Sequence, residues 1–384
     1  MEPLTIGMVA GEPSGDALGA HLIPALRRHL PGARFTGIGG PRMTGAGFQA
    51  LFPMEKLAVM GIVEVLRHLP EILGIRRRLA AHFLRERPRL FIGIDSPDFN
   101  LGLELKLRSA GVPTAHYVSP SIWAWRAGRI RTIRRAVSKM LVLFPFEQAL
   151  YERAQVPVAY VGHPLADELA SFPGTAAVRE QLRLPATGRI VALLPGSRVT
   201  EVKRMADLFV AAAGRIAEAV PGVQFLVPFV SRETRDIFEA ALYRHPGEAL
   251  NVSMMFGHAH EAMAAADVVL AASGTATLEA ALLRRPMVVT YKVAPLSALI
   301  HRAFVRLPYV ALPNVLANAF IVPEFLQDEA TPENIAQAVT NLLFDTVTRQ
   351  RLEARFGGML AELRRDASAA AAAALLPLLD GASA

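Results

Sequence analysis

The sequence contains no cysteine. Disulfide frameworks, thiolate nucleophiles and cysteine–zinc sites are therefore excluded, and a chain that manages without disulfides fits a reducing cytoplasm. A long uncharged apolar run is also lacking. The nearest candidate, Leu307 to Pro323, is short for a bilayer span and carries three prolines, so no transmembrane helix is expected. Met1 is followed by an acidic residue rather than by a basic and then apolar leader, so no secretory signal is expected either. Aromatic residues are few, 7% with two tryptophans, and acidic residues are outnumbered, which leaves a net charge of +7.

What is present suits a large folded core. Of 384 residues, 52% are apolar and 20% charged, and the length favours two domains. Mean hydropathy is +0.31. A basic, rather greasy chain without a span fits a peripheral membrane protein or an enzyme of lipidic substrates. A large core rich in alanine and leucine explains the same numbers equally well.

Short apolar runs bounded by glycine, proline and aspartate alternate with helical patterns. The runs are TIGMVA, RFTGIGG, RLFIGID, PTAHYVS, KMLVLFPF and VAYVGHP. The pattern restarts at RIVALLPGSR and continues through VQFLVPF, NVSMMFG, ADVVLAASG and PMVVTYK. This is the signature of parallel sheets with crossover helices, in two successive doubly wound units that meet near Gly162 to Thr187. Ligands of such sheets bind outside the carboxyl ends of the strands, so two sheets facing across a cleft direct attention to the residues just after each strand.

The first of these is Gly11-Glu12-Pro13-Ser14-Gly15-Asp16. It lacks the lysine of a P-loop and the glycine spacing of a dinucleotide fingerprint. Glu12 and Asp16 would repel a pyrophosphate, so the loop suits hydroxyl groups such as those of a sugar. A bare helix start, with Ser14 or Asp16 as N-cap, is the competing reading. Gly93 to Asn100 places Asp95 and Asp98 at the end of a buried strand, where a carboxylate can act as general base. No histidine or third carboxylate nearby completes a metal-ligand set. An Asp-Ser-Pro turn with self-satisfied side chains is the structural alternative.

Pro195-Gly196-Ser197-Arg198 joins a strand to a helix. Free N–H groups and the helix dipole favour an anion there, and Arg198 adds a bidentate donor, with Glu201 and Arg204 at turn spacing; a capping motif alone is the competing reading. Ser273-Gly274-Thr275 repeats the arrangement further on, with Glu279 one turn into the helix; a phosphate on the loop and a ribose diol on Glu279 would fit a nucleotide, and an ordinary core helix is the competing reading. Asn314, Asn318, Glu324 and Gln327 fall in a proline-punctuated stretch and either bind a hydroxyl-rich ligand or serve as turn and cap residues. Ser119 to Lys139 holds both tryptophans and six basic residues. Nucleic acid, a solvated helix face and an anionic membrane are its three readings. Leu57 to Phe83, dense in apolar residues and followed by basic ones, supports the membrane reading, with a core helix carrying a solvated face as the equal alternative. His116 and His163 each follow a strand, and a lone histidine there is more often structural than catalytic.

Taken in order, GEPSGD, GIGGPRM, MGIVEVL, IDSPDFN, YVSPSIWAWR, VGHPL, LPGSR, SGTATLE and NVLAN with VPEFLQ resemble the lipid-A-disaccharide synthases from Ile6 to about Ala336. The resemblance implies an α/β GT-B fold of two Rossmann-like domains facing across a cleft. An acceptor domain at 1–170, a UDP-sugar domain at 171–345 and a helical tail at 346–384 are expected. The tail would pack back on the first domain or exchange between subunits of a homodimer.

The implied reaction is inverting and metal-independent, with no cofactor. UDP-2,3-diacylglucosamine and 2,3-diacylglucosamine 1-phosphate give the β-1,6-linked disaccharide 1-phosphate and UDP, in the cytoplasm, at the anionic surface of the inner membrane. No nucleic acid partner is implied. Asp98 or Asp95 becomes the base, with Arg198 on the departing diphosphate. Gly196, Ser197, Arg198, Glu201, Arg204, Ser273, Gly274, Thr275 and Glu279 become the UDP site. Glu12, Ser14, Gly15, Asp16, Asn314, Asn318 and Gln327 become acceptor contacts. The rival enzyme on the same fold is a UDP-N-acetylglucosamine 2-epimerase.

Overall fold

In the computed structural model, residues 4–57, 62–123, 127–245, 250–293 and 308–380 are described, with 62–67, 127 and 380 as backbone only. Trp125 and residues 58–61 of the apolar stretch Leu57 to Phe83 therefore lie outside the described residues. Two parallel sheets are present. The first is built from β1 (Thr5–Ala10), β2 (Arg34–Gly39), β3 (Phe48–Pro53), β4 (Leu90–Ile94), β5 (Thr114–Tyr117), β6 (Lys139–Val142) and β7 (Val158–Tyr160). Their order across the sheet is β3-β2-β1-β4-β5-β6-β7. The second contains β8 (Ile190–Leu194), β9 (Gln224–Phe229), β10 (Val252–Phe256), β11 (Val268–Ala272), β12 (Met287–Tyr291) and β13 (Glu324–Leu326), ordered β10-β9-β8-β11-β12-β13. Both follow the doubly wound pattern, in which the strand order reverses once.

Eleven of these strands follow the alternation of apolar runs in the sequence. β3 and β13 do not. β3 is an edge strand with solvent-facing positions and a closing proline, and β13 has only three residues, so neither carries the continuous apolar run of a buried parallel strand.

Strand period divides β1 between two of the core clusters of the first unit. Ile6, Met8 and Ala10 of β1 point to one face, where they meet Leu22, Ile23 and Leu26 of the helix Pro13–His29 and Ala371 and Leu375 of the helix Ala367–Asp380. Val9 points the other way, into Ile75, Leu79 and Phe83 of the helix Ile62–Glu86 and Leu103 and Leu107 of the helix Pro97–Ser109. Gly7 lies under Phe83, where an added Cβ would stand 3.0 Å from the ring. Truncating Phe83 to alanine in this fully buried position costs about 3–5 kcal/mol.

The chain divides into one unit of Met1–Asp167 with Leu363–Ala384, and another of Glu168–Glu362. The expected limits at 170/171 and 345/346 are thus replaced by Asp167/Glu168 and Glu362/Leu363, and most of the helix Thr346–Leu363 belongs to the second unit. Asp167 explains why the chain's end joins the first unit. Its carboxylate accepts from the backbone N–H groups of Arg365, Asp366 and Ala367 at 3.1, 2.9 and 2.7 Å, satisfying the start of the helix Ala367–Asp380. Among the described residues no helix is long and apolar enough to cross a membrane.

Candidate active site

In each unit two of the motifs flank the point where strand order reverses. GEPSGD follows β1 and IDSPDFN follows β4, its neighbour in the first sheet; LPGSR follows β8 and SGTATLE follows β11, its neighbour in the second. That crevice is where an open parallel sheet offers both diverging loops and helix N-termini to a ligand.

In the first unit the two loops are pressed together. A Cβ at Gly11 would lie 2.5 Å from the Ser96 hydroxyl, and one at Gly15 would be 3.4 Å from the Ile94 carbonyl. The helix starts two residues before a cap at Ser14 would allow: Glu12 is the N-cap and Pro13 the first helical residue. Ser14 is exposed and Glu12 half-buried. Asp16 requires a correction. It is buried, and its carboxylate accepts the backbone N–H groups of Gly40, Arg42 and Met43 at 2.8, 3.0 and 3.0 Å. It pins the GIGGPRM turn beneath the loop and is not placed to bind an acceptor.

After β4 the backbone is strained. Asp95 and Ser96 have φ of +52° and +44°, and Val118, after β5, has +81°. Non-glycine residues in this region cost about 1–3 kcal/mol each and collect at functional sites. Asn100 holds the turn, its side-chain amide donating to the Asp95 carbonyl at 2.8 Å. One turn further along the same helix the buried Glu104 meets His116 Nδ1 at 2.6 Å; burial pushes the Glu104 carboxyl up, against the pull of that histidine. His116 is therefore a buried partner of Glu104. Asp95 is half-buried, whereas the Asp98 carboxylate stands out into solvent and pairs with the guanidinium of Arg129.

Next to this rim, after β5, β6 and β7, Trp123, Phe146, Phe144 and His163 pack ring against ring at centroid distances of 5.2, 5.8 and 5.6 Å. Trp123 Nε1 donates to buried Glu147 at 3.1 Å. Burial raises the Glu147 carboxyl to about 7, opposed by donors from Phe144, Trp123, Ser119 and Leu143.

In the second unit, Gly196 has φ +128° and a Cβ there would stand 2.7 Å from the Glu201 Cβ, so this position requires glycine. Glu201 corrects a second expectation. Its Oε2 accepts from the N–H groups of Ser197 and Arg198, both at 3.3 Å, and its Oε1 lies 3.5 Å from the Arg198 guanidinium. It shapes the loop from within, occupying the N–H groups expected to meet an anion, and the Arg198 side chain stays largely exposed. Arg204 reaches the Lys292 carbonyl at 3.4 Å.

After β11, Gly274 at φ +147° and Thr275 are exposed and Ser273 is half-buried; Thr277 Oγ1 donates back to the Gly274 carbonyl at 2.8 Å. Glu279 Oε2 lies 3.2 Å from His260 Nε2, and the hydrogen bond that His260 donates to Glu279 is the main cause that raises the His260 pKa.

The amide cluster separates. Asn314 is fully buried and uses all of its capacity, donating to the Val322 carbonyl and Glu324 and accepting from Ile321 and Val322. It is a structural clasp and not an acceptor contact. Asn318 and Gln327 adopt φ of +46° and +52° in exposed and half-buried turns of the second unit.

Sequence reading passed over Arg129, His260 and Glu147. Arg129 is one of several basic residues in one stretch, and the pairings of His260 with Glu279 and Glu147 with Trp123 have no sequence periodicity to reveal them. Among the described residues no group of three histidines and carboxylates could hold a metal ion.

The lipid-A-disaccharide synthetase family profile matches residues 6–375. The chain belongs to this family. The lipid-A-disaccharide synthase of Methylobacillus flagellatus is 54% identical over 98% of this chain and 99% of its own length. That of Aromatoleum aromaticum is 53% identical over 98% and 96%. Among solved structures, the UDP-GlcNAc 2-epimerase of Neisseria meningitidis, bound to UDP-GlcNAc, superposes with a TM-score of 0.64 at 14% identity, covering 97% of this chain and 99% of that one. The glycotransferase of kitacinnamycin gives 0.60 at 18%, covering 98% and 100%. These two likenesses concern the fold, which is the GT-B fold of two parallel-sheet α/β units; they carry no preference for epimerase over transferase. The family's relatives do, and the chain is a glycosyltransferase.

Proposed function

We propose that the protein is a lipid-A-disaccharide synthase that transfers 2,3-diacylglucosamine from UDP-2,3-diacylglucosamine to the 6-hydroxyl of 2,3-diacylglucosamine 1-phosphate. The reading is carried by relatives of that name matching across both units at more than half identity. The second unit takes the donor, with UDP phosphates on Ser273, Gly274, Thr275 and Arg198 and the ribose on Glu279. The first unit takes the acceptor, with Glu12 and Ser14 on its hydroxyls.

The reaction is a single displacement. Asp98, or Asp95 in its place, accepts the acceptor proton as the hydroxyl oxygen forms its bond to the anomeric carbon. The bond from that carbon to UDP breaks from the opposite face, so the centre inverts through an oxocarbenium-like transition state. Arg198 meets the charge that develops on the departing diphosphate, where an electrostatic contact contributes most. Asp98 is supported for the base by its exposure beside the strained turn.

The helix Ile62–Glu86 adds a membrane contact. Leu69 and Leu73, one turn apart, are 39% and 37% exposed, with exposed Arg77 and Arg78 following. Apolar side chains beside cations suit an anionic bilayer surface. Replacing both leucines by serine should lower sedimentation with anionic vesicles; equal sedimentation would return them to ordinary surface.

The deciding experiment measures UDP release from UDP-2,3-diacylglucosamine with and without the sugar 1-phosphate acceptor, in EDTA. Acceptor-dependent release is expected. Release of UDP independent of any acceptor, or conversion of the donor sugar alone, would overturn the reading in favour of an epimerase-like enzyme.

A further inference from the structure

Asp98 is gripped by two arginines from different parts of the first unit. Arg129, at the end of the short turn Ala127–Arg129, ion-pairs with its carboxylate. Arg76, from the helix Ile62–Glu86, donates from Nη1 to its backbone carbonyl at 3.3 Å. The pairing is lopsided: the Arg129 side chain is 17% exposed and the Asp98 side chain 76%. A walled-in cation therefore faces a carboxylate that is open to solvent, and a pair with one partner in water adds little stability. Arg76 has a path cleared for it. It crosses the helix Pro97–Ser109 at Gly102, where a Cβ would stand 2.9 Å from Arg76 Nη1. The ion pair from Arg129 and the hydrogen bond from Arg76 therefore bring two guanidinium groups to one aspartate.

We propose that Arg129 and Arg76 form the subsite for the phosphate of the acceptor. The proposal rests on the reading of Asp98 as the base for a sugar 1-phosphate. In a pyranose the carbon bearing the phosphate and the carbon bearing the hydroxymethyl arm both bond to the ring oxygen. A carboxylate on the 6-hydroxyl therefore has the 1-phosphate one ring edge away. A guanidinium offers donors on more than one edge, so Arg129 can take the phosphate from where it now meets Asp98. The phosphomonoester's negative charge draws Arg129 from the carboxylate, and Asp98 turns to the hydroxyl. The acceptor thus exposes its own base, and the phosphate acts in recognition without any bond to it forming or breaking.

The test compares 2,3-diacylglucosamine 1-phosphate with 2,3-diacylglucosamine lacking the phosphate, in the full-length enzyme and in Arg129→Gln, Arg129→Lys and Arg76→Gln. In the parent enzyme, loss of the phosphate should lower kcat/KM by roughly 10–100-fold, the worth of charge-assisted hydrogen bonds. Arg129→Gln should collapse that discrimination toward unity, Arg129→Lys should restore part of it, and Arg76→Gln should reduce it. The KM for the UDP-sugar should stay constant throughout, which also reports an intact fold. Equal losses with both acceptors would make Arg129 a support of Asp98 alone and overturn the subsite. A raised KM for the UDP-sugar would assign Arg129 to the donor diphosphate and overturn the subsite as well. If the parent enzyme shows no acceptor-dependent UDP release, the functional reading itself fails and the subsite with it. Discrimination that survives Arg129→Gln in a working transferase overturns the subsite only.

Discussion

His260 Nε2 stands 3.2 Å from Glu279 Oε2, joining the helix Ala259–Ala265 to the helix Thr275–Leu282 at the carboxyl-end rim of the second sheet. The pairing fixes the carboxylate assigned to the ribose. Glu279→Ala should weaken UDP binding by about 10-fold or more, the worth of a charge-assisted hydrogen bond, as read by titration calorimetry. His260 has its pKa raised, chiefly by this bond, so the stability it contributes is complete below pH 6.5 and disappears as pH rises through the higher folded value. Denaturation midpoints across that window should fall in the parent protein and stay flatter in His260→Gln; parallel curves would show that the pair is energetically idle.

Asp98→Asn should lower kcat by about 100-fold or more, in the range for removal of a general base, with UDP affinity unchanged. Asp95→Asn should disturb turnover less, because Asp95 is half-buried at a strained backbone position. Near-parent turnover in both variants would falsify the assignment of the base to this turn.

Asp16→Ala separates scaffold from site. Three backbone N–H groups would lose their acceptor, so stability should drop by about 2–4 kcal/mol. The residual folded enzyme should keep its KM for the acceptor. A selective rise in acceptor KM without loss of stability would return Asp16 to the ligand contacts.

Glu147 makes the pH dependence of the first unit asymmetric. Its carboxyl, raised to about 7 by burial, holds its proton in the folded state at pH values where the unfolded chain has released it. Stability should therefore decline between about pH 4.5 and pH 7 and level off above, by about 3 kcal/mol at most. Glu147→Gln should flatten that limb, followed by tryptophan fluorescence because Trp123 is its partner. An unchanged slope would mean that Glu147 is ionised throughout.

The sequence by itself determined the architecture. Short apolar runs closed by glycine, proline or aspartate and separated by helical patterns favour parallel strands, and eleven of the thirteen strands among the described residues are such runs. It also determined where chemistry could lie, because the loops after β1, β4, β8 and β11 carry the polar residues, and strand order then puts these loops in pairs at the two reversal points.

What each polar side chain does was decided only by tertiary structure. Asp16 and Glu201 read as ligand contacts because they follow glycine loops, and Asn314 because amides in a proline-punctuated stretch can bind hydroxyls. Folding gives their lone pairs to backbone N–H groups of the chain itself, those on Asp16 brought from a turn 24 to 27 positions away and those on Glu201 and Asn314 from nearby in the chain. Arg129 and His260 read as nothing in particular, since a cation gains meaning only from the carboxylate opposite it, and those partners stand 31 and 19 positions away. Local pattern reports which backbone can form, because that depends on neighbours in sequence. Satisfaction of a polar atom depends on neighbours in space, and only the packed sheets supply them.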